Sequence, residues 1–73
     1  MVDLIDVGIR IRDKRIERGI TQKELATKIR VSSQAVSKWE RGVTLPEISN
    51  LKAISHILRV SVDYLIDNER AYS

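Results

Sequence analysis

The sequence predicts an all-α fold, a compact domain of five short helices. Three observations lead there. Apolar residues recur three and four positions apart instead of alternating with polar ones, which is the helical period. One proline and three glycines in 73 residues leave few breaks. A chain this short buries only about 60% of its unfolded surface, so residues 1–73 are expected to form a single domain with one thin core.

The first helix is expected from about Leu4 to Arg18, with Leu4, Val7, Ile11 and Arg15 on one stripe. Gly8 within it costs roughly 1 kcal/mol relative to alanine, and close packing is the reason to keep it. Gly19 stops this helix. Thr21-Gln22-Lys23-Glu24 is a capping box, opening a second helix that runs to about Ile29 and buries Leu25, Ala26 and Ile29. Arg30-Val31-Ser32 leaves room only for a tight turn. Ser32 then caps a third helix, residues 32–41, which Gly42 ends. Val36 and Trp39 face inward; Ser33, Gln34, Ser37, Lys38 and Arg41 face outward.

Pro46 suits the first position of a fourth helix, because its missing N–H has no helical partner there. Ile48, Leu51, Ile54 and Leu58 are its expected core residues. Ser61 caps a short fifth helix in which Val62, Leu65 and Ile66 are apolar and Asp63 complements the helix dipole. These apolar residues exceed what so short a helix can hide, which suggests a dimer contact here and near Leu45. The tail after Asn68 is polar and expected to fray. Ile29-Arg30-Val31-Ser32 and Leu58-Arg59-Val60-Ser61 have the same form, a repeated solution to ending one helix and starting the next.

Composition removes several function classes. There is no cysteine and only one histidine, His56, so disulfides, thiolate chemistry and a metal cluster are not expected. No nucleophile–base set or phosphate loop is present, so neither an enzyme nor a cofactor is expected. No apolar run approaches the roughly 18 residues of a membrane span, and MVDLID is not signal-like, which points to the cytoplasm. The net charge of +3 is unevenly spread. Residues 10–41 hold ten Lys/Arg against four Asp/Glu, while both flanking segments are net acidic. Such a block suits a polyanion such as nucleic acid, although lysines and arginines that merely solvate helix faces give the same count.

Two short helices joined by a three-residue turn must cross steeply, and Ala26 is small enough to let the third helix approach the second. Leu25, Ile29, Val31, Val36 and Trp39 close one cluster. This is a helix-turn-helix unit, residues 21–42, whose second helix enters the major groove of DNA. At this point the sequence resembles the phage-repressor and Cro-like helix-turn-helix proteins, the XRE family. The resemblance rests on Arg10-Ile11-Arg12, Arg15, Gly19-Ile20-Thr21-Gln22, Glu24-Leu25-Ala26, Val31-Ser32, Val36-Ser37, Trp39-Glu40-Arg41-Gly42, Pro46 and Val60-Ser61-Val62-Asp63. It covers about Val7 to Ile66 and implies a lambda-repressor-like five-helix fold. It also implies a sequence-specific double-stranded DNA-binding transcriptional regulator, usually a repressor, acting as a homodimer on an inverted-repeat operator.

The resemblance carries roles onto single residues. Ser33, Gln34, Ser37 and Lys38 match positions that contact base edges, with Ser37 able to reach either a base or a phosphate. Glutamine can pair bidentately with adenine, and lysine can donate to guanine O6 and N7. Gln22, Arg41 and Thr44 match phosphate contacts, and Gln22 also braces the recognition helix. Arg15 and Glu40 match a buried structural ion pair, in which each charge needs the other. Plain readings stand beside these: a solvated helix face for the outward residues, an exposed first-turn residue for Gln22, an ordinary loop residue for Thr44. Trp39 reads as core, Tyr64 as half-buried, His56 as surface. Arg10, Arg12, Lys14 and Arg18 read chiefly as a solvated charge run.

The chain departs from the family pattern at Arg30 and Arg59, where glycine is usual, and at Lys14, where leucine is common. Two alternatives share the fold: an antitoxin that represses its own operon and holds a toxin, and a protein-interaction module. The second would carry an apolar or acidic recognition face, unlike the polar and basic one here. An antirepressor or a toxin is a possible protein partner. Nothing resembling a second domain follows the fifth helix, so no effector is expected.

Overall fold

The computed structural model describes residues 3–66 and contains, among them, five α-helices and no strand. These are α1 (Leu4–Glu17), α2 (Gln22–Ile29), α3 (Ser33–Glu40), α4 (Ile48–Leu58) and α5 (Val62–Ile66). The expected fraying of the tail lies outside the described residues.

Local chemistry sets the helix starts. Asp3 accepts from the N–H groups of Ile5 at 2.8 Å and Asp6 at 3.3 Å, an N-cap not anticipated from the sequence. The capping box of α2 is complete: Glu24 N–H donates to Thr21 Oγ1 at 3.0 Å, and Thr21 N–H donates to Glu24 Oε1 at 2.8 Å. The bond from the Thr21 backbone holds the Glu24 carboxyl below its ordinary pKa. Its contribution to stability is therefore present above the unfolded-state value and is lost as pH falls through the lowered one. Ser32 Oγ accepts from Ala35 N–H at 3.1 Å and Ser61 Oγ from Tyr64 N–H at 2.9 Å, starting α3 and α5.

Four helices end alike. Gly19, Arg30, Gly42 and Arg59 all take left-handed backbone conformations, at φ of 70°, 62°, 73° and 59°. At each end the next residue's N–H reaches back five positions: Ile20 to Arg15, Val31 to Ala26, Val43 to Lys38, Val60 to Ser55. That is the Schellman closure, and it satisfies carbonyls the helix leaves open. The two arginines hold a conformation that costs a non-glycine residue roughly 1–2 kcal/mol. At Gly42 glycine is also needed for room, since an added Cβ would lie 3.0 Å from Ile5 Cγ1 and 3.1 Å from Ile5 Cα.

The core is Val7 and Ile11 of α1, Leu25 and Ala26 of α2, Val36 and Trp39 of α3, Leu51, Ile54 and Leu58 of α4, and Leu65 of α5. Ile29 and Val31 pack against it, half-buried. α3 lies chiefly on α1 and α2, while α5 closes the far side against α1 and α4.

Several expectations are corrected. Pro46 is buried but stands two residues before α4, whose N-cap is Glu47. Ile48 is 61% exposed. At 100° per residue it lies about 90° from the mean direction of Leu51, Ile54 and Leu58, so it cannot share their face. Leu4 is 39% exposed and not part of the core. Leu65 is fully buried and Val62 and Ile66 half-buried, so these apolar residues close this domain's own core. The charge run is also more than a solvated face. Arg10 and Lys14 direct their cations over the Tyr64 ring, 5.9 and 5.4 Å from its centroid, and Arg18 Nε donates to the Leu58 carbonyl at 3.3 Å. Lys14 thus ties α1 to α5 by its charge, where leucine would do so by apolar contact.

Candidate nucleic-acid interface

α3 is held in place from behind by a buried ionic network. Glu40, in its last turn, keeps only 2% of its side chain exposed, and Arg15 keeps 11%. Arg15 Nε donates to Glu40 Oε2 at 2.6 Å and Nη2 to Oε1 at 2.9 Å, a two-pronged pair in which a planar guanidinium fits a carboxylate. The remaining prong, Nη1, donates to the Ile20 carbonyl at 2.8 Å. The hydrogen bond to Glu40 raises the Arg15 pKa further above its already high ordinary value, so Arg15 stays charged. Gln22 Nε2 also donates to Glu40 Oε1, at 2.9 Å. One carboxylate therefore joins the end of α1, the start of α2 and the end of α3.

Close backbone contact fixes the same crossing. An added Cβ at Gly8 would lie 2.8 Å from the Glu40 carbonyl oxygen and closer still to that of Trp39. Close packing is the expected reason for a glycine at position 8, and the structure supplies it: the backbone of α3 passes directly over this residue.

So anchored, α3 turns a polar surface outward. At 100° per residue, Gln34, Ser37, Lys38 and Arg41 fall within an arc of about 100°, and Ser33 lies just past its edge. Gln34, Lys38 and Arg41 are exposed, Ser33 and Ser37 half-buried. Thr44 is exposed in the following loop. Gln22 is half-buried at the start of α2, its amide nitrogen engaged with Glu40 and its side-chain oxygen free of hydrogen bonds within the described residues. Arg41 Nε donates to Ser37 Oγ at 3.1 Å, a contact one turn apart that the sequence reading did not single out. α3 has no acidic residue in its first turn, so nothing there neutralises the positive end of its dipole. The face offers donors and amides suited to base edges and phosphates. Among the described residues no group of three or more His, Cys, Asp or Glu is placed to hold a metal ion.

Comparison with known proteins agrees with this geometry. A family model described as helix-turn-helix matches residues 11–65. The repressor protein C2 of Salmonella phage P22 is 41% identical over 63 residues, which cover 86% of this chain. The transcriptional activator BcrR of Enterococcus faecalis is 37% identical over 60 residues, 82% of this chain. This chain spans 29% of the length of each of those relatives. Among solved structures, that of the P22 c2 repressor in complex with a synthetic operator superposes with a TM-score of 0.81 at 43% identity, covering 84% of this chain and 92% of that one.

Proposed function

The chain belongs to the helix-turn-helix family, among the Cro-like and phage-repressor proteins of the XRE type, and from that membership we propose that it is a sequence-specific DNA-binding regulator of transcription. The whole chain is read as one domain, with residues 21–42 its helix-turn-helix unit. α3 enters the major groove, with Ser33, Gln34, Ser37 and Lys38 against base edges. Gln22, Arg41 and Thr44 face phosphates. The observation that carries this reading is the outward arc of α3: polar and basic, and pinned from behind by a buried carboxylate. The operator bound to the P22 c2 repressor supports it.

Its role is that of a repressor in the cytoplasm, a reading supported by its likeness to the repressor protein C2 of Salmonella phage P22. The active form is a homodimer on an inverted repeat, with recognition helices about 34 Å apart. Val43, Leu45 and Ile48, apolar and exposed beyond the end of α3, are the surface that supports such a contact.

Titrating inverted-repeat duplexes recovered from a randomised pool, across a salt series, tests this reading. Counterion release gives log K against log salt a slope of about −0.9 per phosphate contact, so several contacts give a steep line. Sedimentation of the same complex should show two protomers per duplex. A flat salt dependence would sink the DNA-binding reading, and strict one-to-one binding would contradict the dimer.

A further inference from the structure

Two arginines hold the same strained backbone. Arg30 and Arg59 take φ of 62° and 59° with ψ of 45° at both, a region that glycine enters without steric cost. Each places a cation at the negative end of a helix dipole, an offset common to both. Their surroundings differ. Arg30 is exposed in the turn between α2 and α3, and from Leu25 to Trp39 the chain carries Lys28, Arg30 and Lys38 with no acidic residue. The ion pairs among the described residues, Lys14–Glu17 and Arg15–Glu40, do not involve it. Arg59 is exposed in a neutral stretch, where residues 43–66 balance Lys52 and Arg59 against Glu47 and Asp63.

We propose that Arg30 is a further phosphate contact, presented by its strained turn to the DNA backbone beside the point where α3 enters. The inference rests on α3 lying in the major groove. α2 packs on α3 from the side opposite the outward arc, so the turn between them climbs from the groove floor towards its rim. Arg30 is three residues before Ser33, the first residue of α3, and their Cα atoms are at most about 11 Å apart. The groove is about 12 Å wide and 8.5 Å deep, and phosphates line its rims. With Ser33 on the floor, Arg30 stands at rim height, where its long side chain meets a phosphate. A guanidinium can hold that group through two parallel N–H bonds. Such a contact adds affinity without base preference. Arg59 joins α4 to α5 on the far side of the domain, so it is a matched control: the same residue in the same backbone, away from the proposed DNA.

The test compares the unmodified protein with Arg30→Gly, Arg30→Lys and Arg59→Gly, on the selected inverted-repeat duplex and on an unrelated duplex, across a salt series. Both glycine variants should raise Tm by about 5 °C, because relief of the strain outweighs the chain entropy that glycine loses on folding. Their effects on DNA should part. Arg30→Gly should weaken binding by the same factor on both duplexes and lower the slope of log K against log salt by about 0.9 per protomer. Arg59→Gly should leave slope and affinity as they were, and Arg30→Lys, still charged, should keep the slope. If Arg30→Gly keeps the unmodified slope, Arg30 touches no phosphate. If Arg59→Gly lowers the slope as much, the effect is that of net charge and the contact does not exist. If Arg30→Gly alters preference at a single base position and leaves the unrelated duplex unaffected, Arg30 reads a base instead. In these three cases the groove reading stands without the contact. If the unmodified protein shows a flat salt dependence, both fall together.

Discussion

Replacing Arg15 with alanine should destabilise the fold by about 3–5 kcal/mol, the cost of leaving a buried charge without its partner. Glu40 keeps only 2% of its side chain exposed, and the substitution removes both prongs that neutralise it. Gln22 would remain as a single neutral donor, and the Ile20 carbonyl would lose the Arg15 Nη1 bond. A domain of this length has roughly 4–11 kcal/mol of stability in all, so the loss approaches unfolding. Arg12 lies three residues earlier on the exposed side of α1, and its replacement by alanine should stay within about 0.5 kcal/mol of the original. Urea midpoints of the two variants decide the matter. Equal midpoints would mean that the buried pair contributes nothing.

Gly8→Ala should also weaken the fold, against the usual trend of glycine replacements in helices. Helix propensity alone favours alanine by roughly 1 kcal/mol. The new methyl, however, would meet the carbonyl oxygens of Trp39 and Glu40. These are backbone atoms and cannot rotate aside, so α3 must shift away from α1 and stretch the Arg15–Glu40 pair with it. Overpacking of this kind costs about 1–3 kcal/mol and occasionally more, and here it outweighs the propensity gain. A net loss of about 1 kcal/mol would lower Tm by roughly 6 °C in a domain of this size. A variant with a Tm at or above the original would show that α3 has room to move and that Gly8 is not a packing constraint.

The features legible in the sequence are those decided within a few residues. Thr21 and Glu24 sit at the spacing their reciprocal bonds need, and Ser32 and Ser61 cap helices where a serine precedes an apolar period. Arg30 and Arg59 stand in matching turns where glycine is usual, and both take the left-handed conformation. What depends on where distant elements land was less accessible. Nothing local says that Arg10 and Lys14 meet the Tyr64 ring, since α5 lies some fifty residues away along the chain. Ile48 was misplaced because an apolar residue three before Leu51 looks periodic, while the rotation of a short helix carries it off the core face. Leu65 looked surplus on a helix of five residues, yet the gap between α1 and α4 takes it in completely. The site divides in the same way. The outward arc of α3 follows from helical spacing alone, whereas Gln22's bond to Glu40 depends on how α2 meets α3.

The claim on which the account turns is that the outward face of α3 reads DNA, and Gln34 and Lys38 test it most directly. They stand one turn apart and both are exposed, so the proposed reading assigns each a different base pair of one groove. The measurement is binding of Gln34→Ala and Lys38→Ala to every single-base change of the selected operator. Each variant should stay folded, because neither side chain packs in the core. Each should lose about 1–3 kcal/mol of discrimination at its own base positions and keep its preferences elsewhere. A base-preference profile that both variants share with the unmodified protein would contradict the account, because the helix pinned by Arg15 and Glu40 would then not be the reader.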